Sequence, residues 1–128
     1  MTVANSGSLS FSNSFTLSAW VKNMDNAFAD GYSNYIISKG VFSSSPWNDY
    51  YMSIQNTYRY FFSIYTTTGT FGVLSTNSFP DSDFHHVVGV YDYENSLIKL
   101  YVDGKLENST AVTGSIRNTI HSVINYAA

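Results

Sequence analysis

The stretch DFHHVVGVYD, residues 83–92, sets His85 and His86 side by side between Asp83 and Asp92. Imidazoles and carboxylates in this proximity are the raw material of a metal site or of proton transfer. The neighbours argue otherwise. Val87, Val88, Val90 and Tyr91 read as a strand, and adjacent strand residues point to opposite faces. His85 and His86 therefore cannot grip one ion from regular geometry. The expectation is one histidine packed or hydrogen-bonded in the core and the other on an open face. A Ser-His-Asp set cannot be assembled from spacing alone, because its members are neighbours in space and not in sequence. Cysteine is absent, which removes a thiol nucleophile, a disulfide framework and a thiolate zinc cluster.

These groups need elements to position them, and the composition says which. A chain of 128 residues buries one sizeable core and is too short for two ordinary domains, so residues 1–128 are expected to form a single domain, whole or cut from a longer chain. Only 12% of residues are charged while 17% are aromatic, a mix that suits pleated, half-buried surfaces better than helices. The net charge of −3 and six scattered Lys and Arg make no basic stripe, so nucleic acid is not an expected partner. MTVANSGSLS lacks the charged start and apolar run of a secretory signal. No apolar run approaches the ~20 residues of a membrane span.

Short alternating runs bounded by Gly, Pro, Asn, Asp and Ser predict an all-β chain. Strands are expected over 15–21, 35–38, 50–55, 58–65, 70–75, 85–91 and 97–102, with a weaker one over 106–112. Asp103-Gly104 should turn the last hairpin, since both positions tolerate positive φ. Pro46 and Pro80 fall in the gaps, where a missing N–H harms no ladder.

Four blocks then carry a resemblance: FTLSAWVK (15–22), YIISKG (35–40), FHHVVGVYD (84–92) and LIKLYVDGKL (97–106). In order and spacing the chain resembles the laminin-G-like jelly-roll domains of the concanavalin A-like lectin and glucanase superfamily over nearly its whole length. The resemblance implies a sandwich of two antiparallel sheets, one convex and one concave, and a protein that binds sugars or proteins outside the cell. Phe84 stands where similar domains usually carry a tryptophan, and the tryptophan equivalent to Trp20 is a core residue in them. Some members of the superfamily cleave β-glucans with an E-x-D-x-x-E strand. Here Glu94 and Glu107 fall in turns or hairpin flanks, neither with an Asp two positions on, so no enzyme is expected. Calcium is the one cofactor the resemblance suggests. Its candidate oxygens are Asp25, Asp30, Asp49 and above all Asp81 and Asp83, although none forms a D-x-D-x-D-G loop.

For sugar binding, aromatic rings cover the apolar C–H face of a pyranose while polar groups take its hydroxyls. With Met52, Ile54, Tyr60, Phe62, Ile64, Ile98, Leu100 and Val102 inward, alternation turns Tyr51, Ser53, Gln55, Arg59, Phe61, Ser63, Tyr65, Lys99 and Tyr101 outward. Tyr51, Arg59, Phe61, Tyr65 and Tyr101, with Trp47 and Asp49 on a neighbouring loop, form the expected carbohydrate surface. Interfaces favour the same residue types, so a protein-interaction or adhesion module is the alternative, and a degenerate glycosidase comes third. Similar domains also begin with a strand just before the position of Val3 and end with a further strand rich in Asp, Val and Ile, whereas this chain opens at the equivalent of the first strand's end and stops at HSVINYAA. Were both missing, an exposed sheet edge would favour a homo-oligomer.

Overall fold

A computed structural model describes residues 2–23, 33–40, 48–118 and 123–125. Its regular structure is almost all strand: β1 Thr2–Ala4, β2 Phe15–Lys22, β3 Asn34–Gly40, β4 Asn48–Ile54, β5 Tyr60–Thr66, β6 Gly69–Leu74, β7 Phe84–Asp92, β8 Leu97–Val102, β9 Lys105–Ala111 and β10 Val123–Asn125. Two antiparallel sheets result, one ordered β1-β10-β3-β4-β5-β6 and the other β2-β7-β8-β9. Each expected strand is present, displaced by no more than two residues at either end.

Period-two alternation builds the core. Tyr50, Met52, Ile54, Tyr60, Phe62, Ile64 and Val73 line the inner face of the six-stranded sheet. Phe15, Leu17, Val87, Tyr91, Ile98, Leu100 and Val102 oppose them from the four-stranded sheet. On β7 both alternating sets are apolar, and the structure chooses His85, Val87, Gly89 and Tyr91 as the inner one. Gly89 fits because the ring of Phe62 occupies the space: an added Cβ would lie 2.6 to 2.9 Å from three of its carbons. Asp103 and Gly104 take φ of 51° and 79°, the two positive values that a tight β8–β9 hairpin requires.

The terminal strands correct an expectation. β1 pairs with β10, and β10 pairs with β3, through Val3 opposite Ile124 and Ile124 opposite Lys39. The β3 edge is thus covered from within the chain, which removes the motive for an oligomer built on that edge. Three-residue strands are too short to display alternation, so their sequences gave no sign of them.

Candidate functional site

The histidine pair divides as expected, one to each side of β7. His85 is buried, with Nδ1 2.7 Å from Asp103 Oδ2 and Nε2 2.8 Å from Asp81 Oδ1. A ring flanked by carboxylates at both nitrogens is best satisfied as an imidazolium that donates twice. Burial works against that charge, but the hydrogen bonds with Asp103 and Asp81 outweigh it and raise the pKa above 6.5. Asp81 is held below the usual carboxylate range by the backbone N–H of Asp83 and by His85. Asp103 is lowered by His85 and by the backbone N–H of His86.

A pH dependence follows from these directions. Above 6.5 the unfolded histidine has lost its proton while the folded one still holds it, so stability falls as pH rises through the folded value. At the acid end, stability falls again as Asp81 and Asp103 take up protons below 3.8. Urea unfolding should therefore show the His85→Asn variant losing more relative to wild type at pH 6 than at pH 9. An equal loss at both would show that the bridge carries no charge.

Asp81 and Asp83 are tied to each other and to the strand that follows. One oxygen of Asp81 already accepts from the Asp83 N–H and from His85. Among the described residues no group of three or more His, Asp or Glu is arranged to hold a metal. Asp25 and Asp30 lie outside the described residues.

The aromatic surface forms in part. Tyr51 lies on β4, and Phe61 and Tyr65 lie on β5, all on the outer face of the six-stranded sheet. Arg59 precedes β5 in step with Phe61 and stands at the hairpin end of this face. The Tyr51 ring packs against Phe61 with centroids 5.8 Å apart and against Tyr35 at 5.1 Å. The Phe61 ring covers Gly72, where any added Cβ would strike it. Beneath the rings lie buried Ser53 and Ser63, and Ser53 Oγ has no hydrogen-bond partner among the described residues.

Two expected members are placed differently. Asp49 is not an exposed loop residue: it belongs to β4, has no exposed side-chain surface, and its Oδ2 lies 3.3 Å from Lys39 Nζ. The buried cation is what makes a buried carboxylate tolerable there. Tyr101 does project outward, but from β8, opposite Val88 in the other sheet. Alternation distinguishes in from out but cannot tell which of two outer faces a strand supplies. Trp47 lies outside the described residues.

Tyr35 and Arg117 join the face unannounced. A register shift between Tyr35 and Ile37 changes the parity of β3, so Tyr35 faces outward where strict alternation with Ile37 turns it inward. Arg117 sits in a segment without strand pattern, yet its guanidinium lies 5.6 Å from the Tyr65 ring centroid.

Trp20 is a further correction. Phe15 and Leu17 fix the parity of an unbroken β2, so Ser18, Trp20 and Lys22 face outward and Trp20 is 69% exposed. It stacks on His86 at 5.0 Å, and His86 Nε2 lies 2.7 Å from Ser18 Oγ. Phe84 and Leu106 are exposed on the same four-stranded sheet.

Chemically the tyrosine face suits binding. Burial foremost, then Tyr35, pushes the Tyr51 phenol up to about 12; a hydrogen bond with Ser63 opposes the shift and Tyr65 adds to it. A phenol that stays protonated donates and accepts hydrogen bonds and makes a poor base. Glycoside hydrolysis needs two carboxyls flanking the scissile bond, about 5 Å apart in retaining enzymes. Asp49 is tied to Lys39, Asp92 pairs with Lys99, and Glu107 accepts from Asn77 on another part of the surface.

Comparison with known proteins places this geometry. Among solved structures, mouse laminin alpha1 domains LG4-5 match with a TM-score of 0.64 and 14% identity, covering 88% of this chain and 28% of that one. The CBM40 of the Ruminococcus gnavus IT-sialidase, bound to alpha2,3 sialyllactose, matches at 0.61 and 14% identity, covering 90% and 63%. The heptameric SAP-like pentraxin of Limulus polyphemus matches at 0.53 and 10% identity, covering 96% and 60%. The chain thus spans less than two thirds of each of these proteins, and likeness at such identity speaks for the fold. No curated protein matches the sequence. Among the described residues no helix is long and apolar enough to cross a membrane. The family model Laminin_G_3, described as Concanavalin A-like lectin/glucanases superfamily, matches residues 1–125. The chain belongs to this laminin-G-like family of the concanavalin A-like lectin/glucanases superfamily.

Proposed function

We propose that the chain is a non-catalytic, extracellular glycan-binding module whose recognition surface is the outer face of the six-stranded sheet. The observation that carries this reading is the row of packed rings, Tyr35, Tyr51 and Phe61 with Tyr65 beyond, laid over small serines. Flat, half-buried aromatics with fixed neighbours suit a pyranose C–H face, and the neutral phenols suit its hydroxyls. A structural neighbour that holds sialyllactose supports the reading.

One observation favours the second reading, a protein-interaction module: Trp20, Phe84 and Leu106 stand exposed on the opposite sheet. A glycan array with single variants separates the two. Tyr51→Ala should weaken glycan binding roughly tenfold by removing a stacking ring, while Trp20→Ala leaves it unchanged. The reverse pattern would move the site to the four-stranded sheet. A folded wild type that binds no glycan would give the lead to a protein partner. Repeating the array with a chelator tests calcium: metal-dependent binding would point to the Asp-bearing loops instead of the tyrosines.

A further inference from the structure

We propose that Gly72 is a positioning residue of the tyrosine face: having no side chain, it lets the Phe61 ring lie down across β6, where it completes a platform with Tyr51; this rests on the glycan-binding reading above. Phe61 and Gly72 are diagonal neighbours. Phe61 stands opposite Leu74 and Ser63 opposite Gly72, all on the outer face of the six-stranded sheet. An aromatic ring reaches across such a diagonal. An ideal Cβ on Gly72 would lie 2.3 Å from Phe61 Cζ and 2.7 Å from Cε2, so the ring occupies the place of the missing side chain. The backbone of Gly72 is ordinary strand, without the positive φ of Gly69 or Gly104. Glycine is needed there for the close approach and not for a turn.

Of the two partners, only the ring can give way. β6 is held in register with β5 from Leu74 to Gly69, and Gly72 O also accepts from Thr110 Oγ1 at 3.1 Å. With a methyl at position 72, the contact at 2.3 Å has to open to an ordinary 3.4 Å or more. Tyr51 blocks a retreat toward β4, since its ring centroid lies 5.8 Å away and rests in turn on Tyr35 at 5.1 Å. The displaced ring therefore swings up into solvent. Standing upright, it no longer offers its face beside Tyr51 and obstructs the approach of a sugar to that ring. An aromatic ring laid over a strand glycine also stabilises a sheet, so seating has to be told from packing.

Gly72→Ala, Phe61→Leu, their double variant and Tyr51→Ala are compared with wild type by NMR, by thermal unfolding and on a glycan array of neutral and acidic mono- to hexasaccharides. In wild type the ring current of Phe61 should move the Gly72 Hα resonances upfield, and Phe61→Leu should abolish that shift. Hα resonances that are the same in both overturn the seating, whatever the array shows. Gly72→Ala should weaken the glycan that wild type holds tightest roughly tenfold, at an unchanged or higher thermal midpoint because alanine suits a strand better than glycine. Phe61→Leu should cause a loss of the same size, and the double variant no more than either, since both changes remove one ring from one place. Full affinity in Gly72→Ala, additive losses in the double variant, or a midpoint that falls along with the affinity would each overturn the positioning role. Binding that ignores Tyr51→Ala overturns the tyrosine face while the ring-current result stands, and a folded wild type that binds nothing on the array counts against both.

Discussion

Lys39→Met is expected to destabilise the protein by about 3–5 kcal/mol, a large part of the 5–15 kcal/mol typical of a domain. Lys39 and Asp49 have no exposed side-chain surface, with Nζ and Oδ2 3.3 Å apart, and Lys39 also donates to Ser10 Oγ at 3.0 Å. Methionine fills the space of the lysine stem but leaves a carboxylate in the interior without its counter-charge. Asp49→Asn should cost a similar amount for the opposite reason, by stranding an ammonium. Replacing both at once with apolar residues of matching volume should recover most of the loss, because the pair repays its own desolvation only in part. Urea unfolding of the two singles and the double gives the answer. A single change costing under about 1 kcal/mol would mean that water reaches the pair and screens it.

The same pair shows where the sequence stops speaking. Alternation across β4, β5 and β8 identifies the inward residues correctly because each of these strands keeps one face apolar. Asp103-Gly104 is legible because its two positive φ values demand those residue types. Asp49 is not legible as buried, because its counter-ion stands on the preceding strand β3 and no periodicity links the two. Tyr101 shows a second limit: a residue turned away from the core has two outer faces to choose from. Tyr35 needs the β3 register shift, and Arg117 needs the bridge between Ile116 and Thr66; neither a bulge nor an isolated bridge leaves a period. Trp20 is the instructive miss. The parity set by Phe15 and Leu17 already turns it outward, whereas the family resemblance argues for the core, and the local physics prevails.

The second large effect lies where the two sheets meet. Phe62 is fully buried, with Phe15 edge-on at 6.2 Å, and its ring fills the space that a side chain at position 89 would occupy. Phe62→Ala should cost about 3–5 kcal/mol, from lost transfer energy and from the cavity left between the layers. Gly89→Ala should cost about 1–3 kcal/mol for the opposite reason, since the new methyl lands within 3 Å of the ring and neither backbone strand can yield freely. The two faults should partly cancel. In the double variant the added methyl enters the space the ring vacates, so the combined loss should fall short of the sum by 0.5 kcal/mol or more, beyond the scatter of independent sites. A double-mutant cycle by urea unfolding measures that coupling. Additive losses would mean that the ring moves aside for the methyl, and that the sheets are held at their separation by the other core residues and not by this contact.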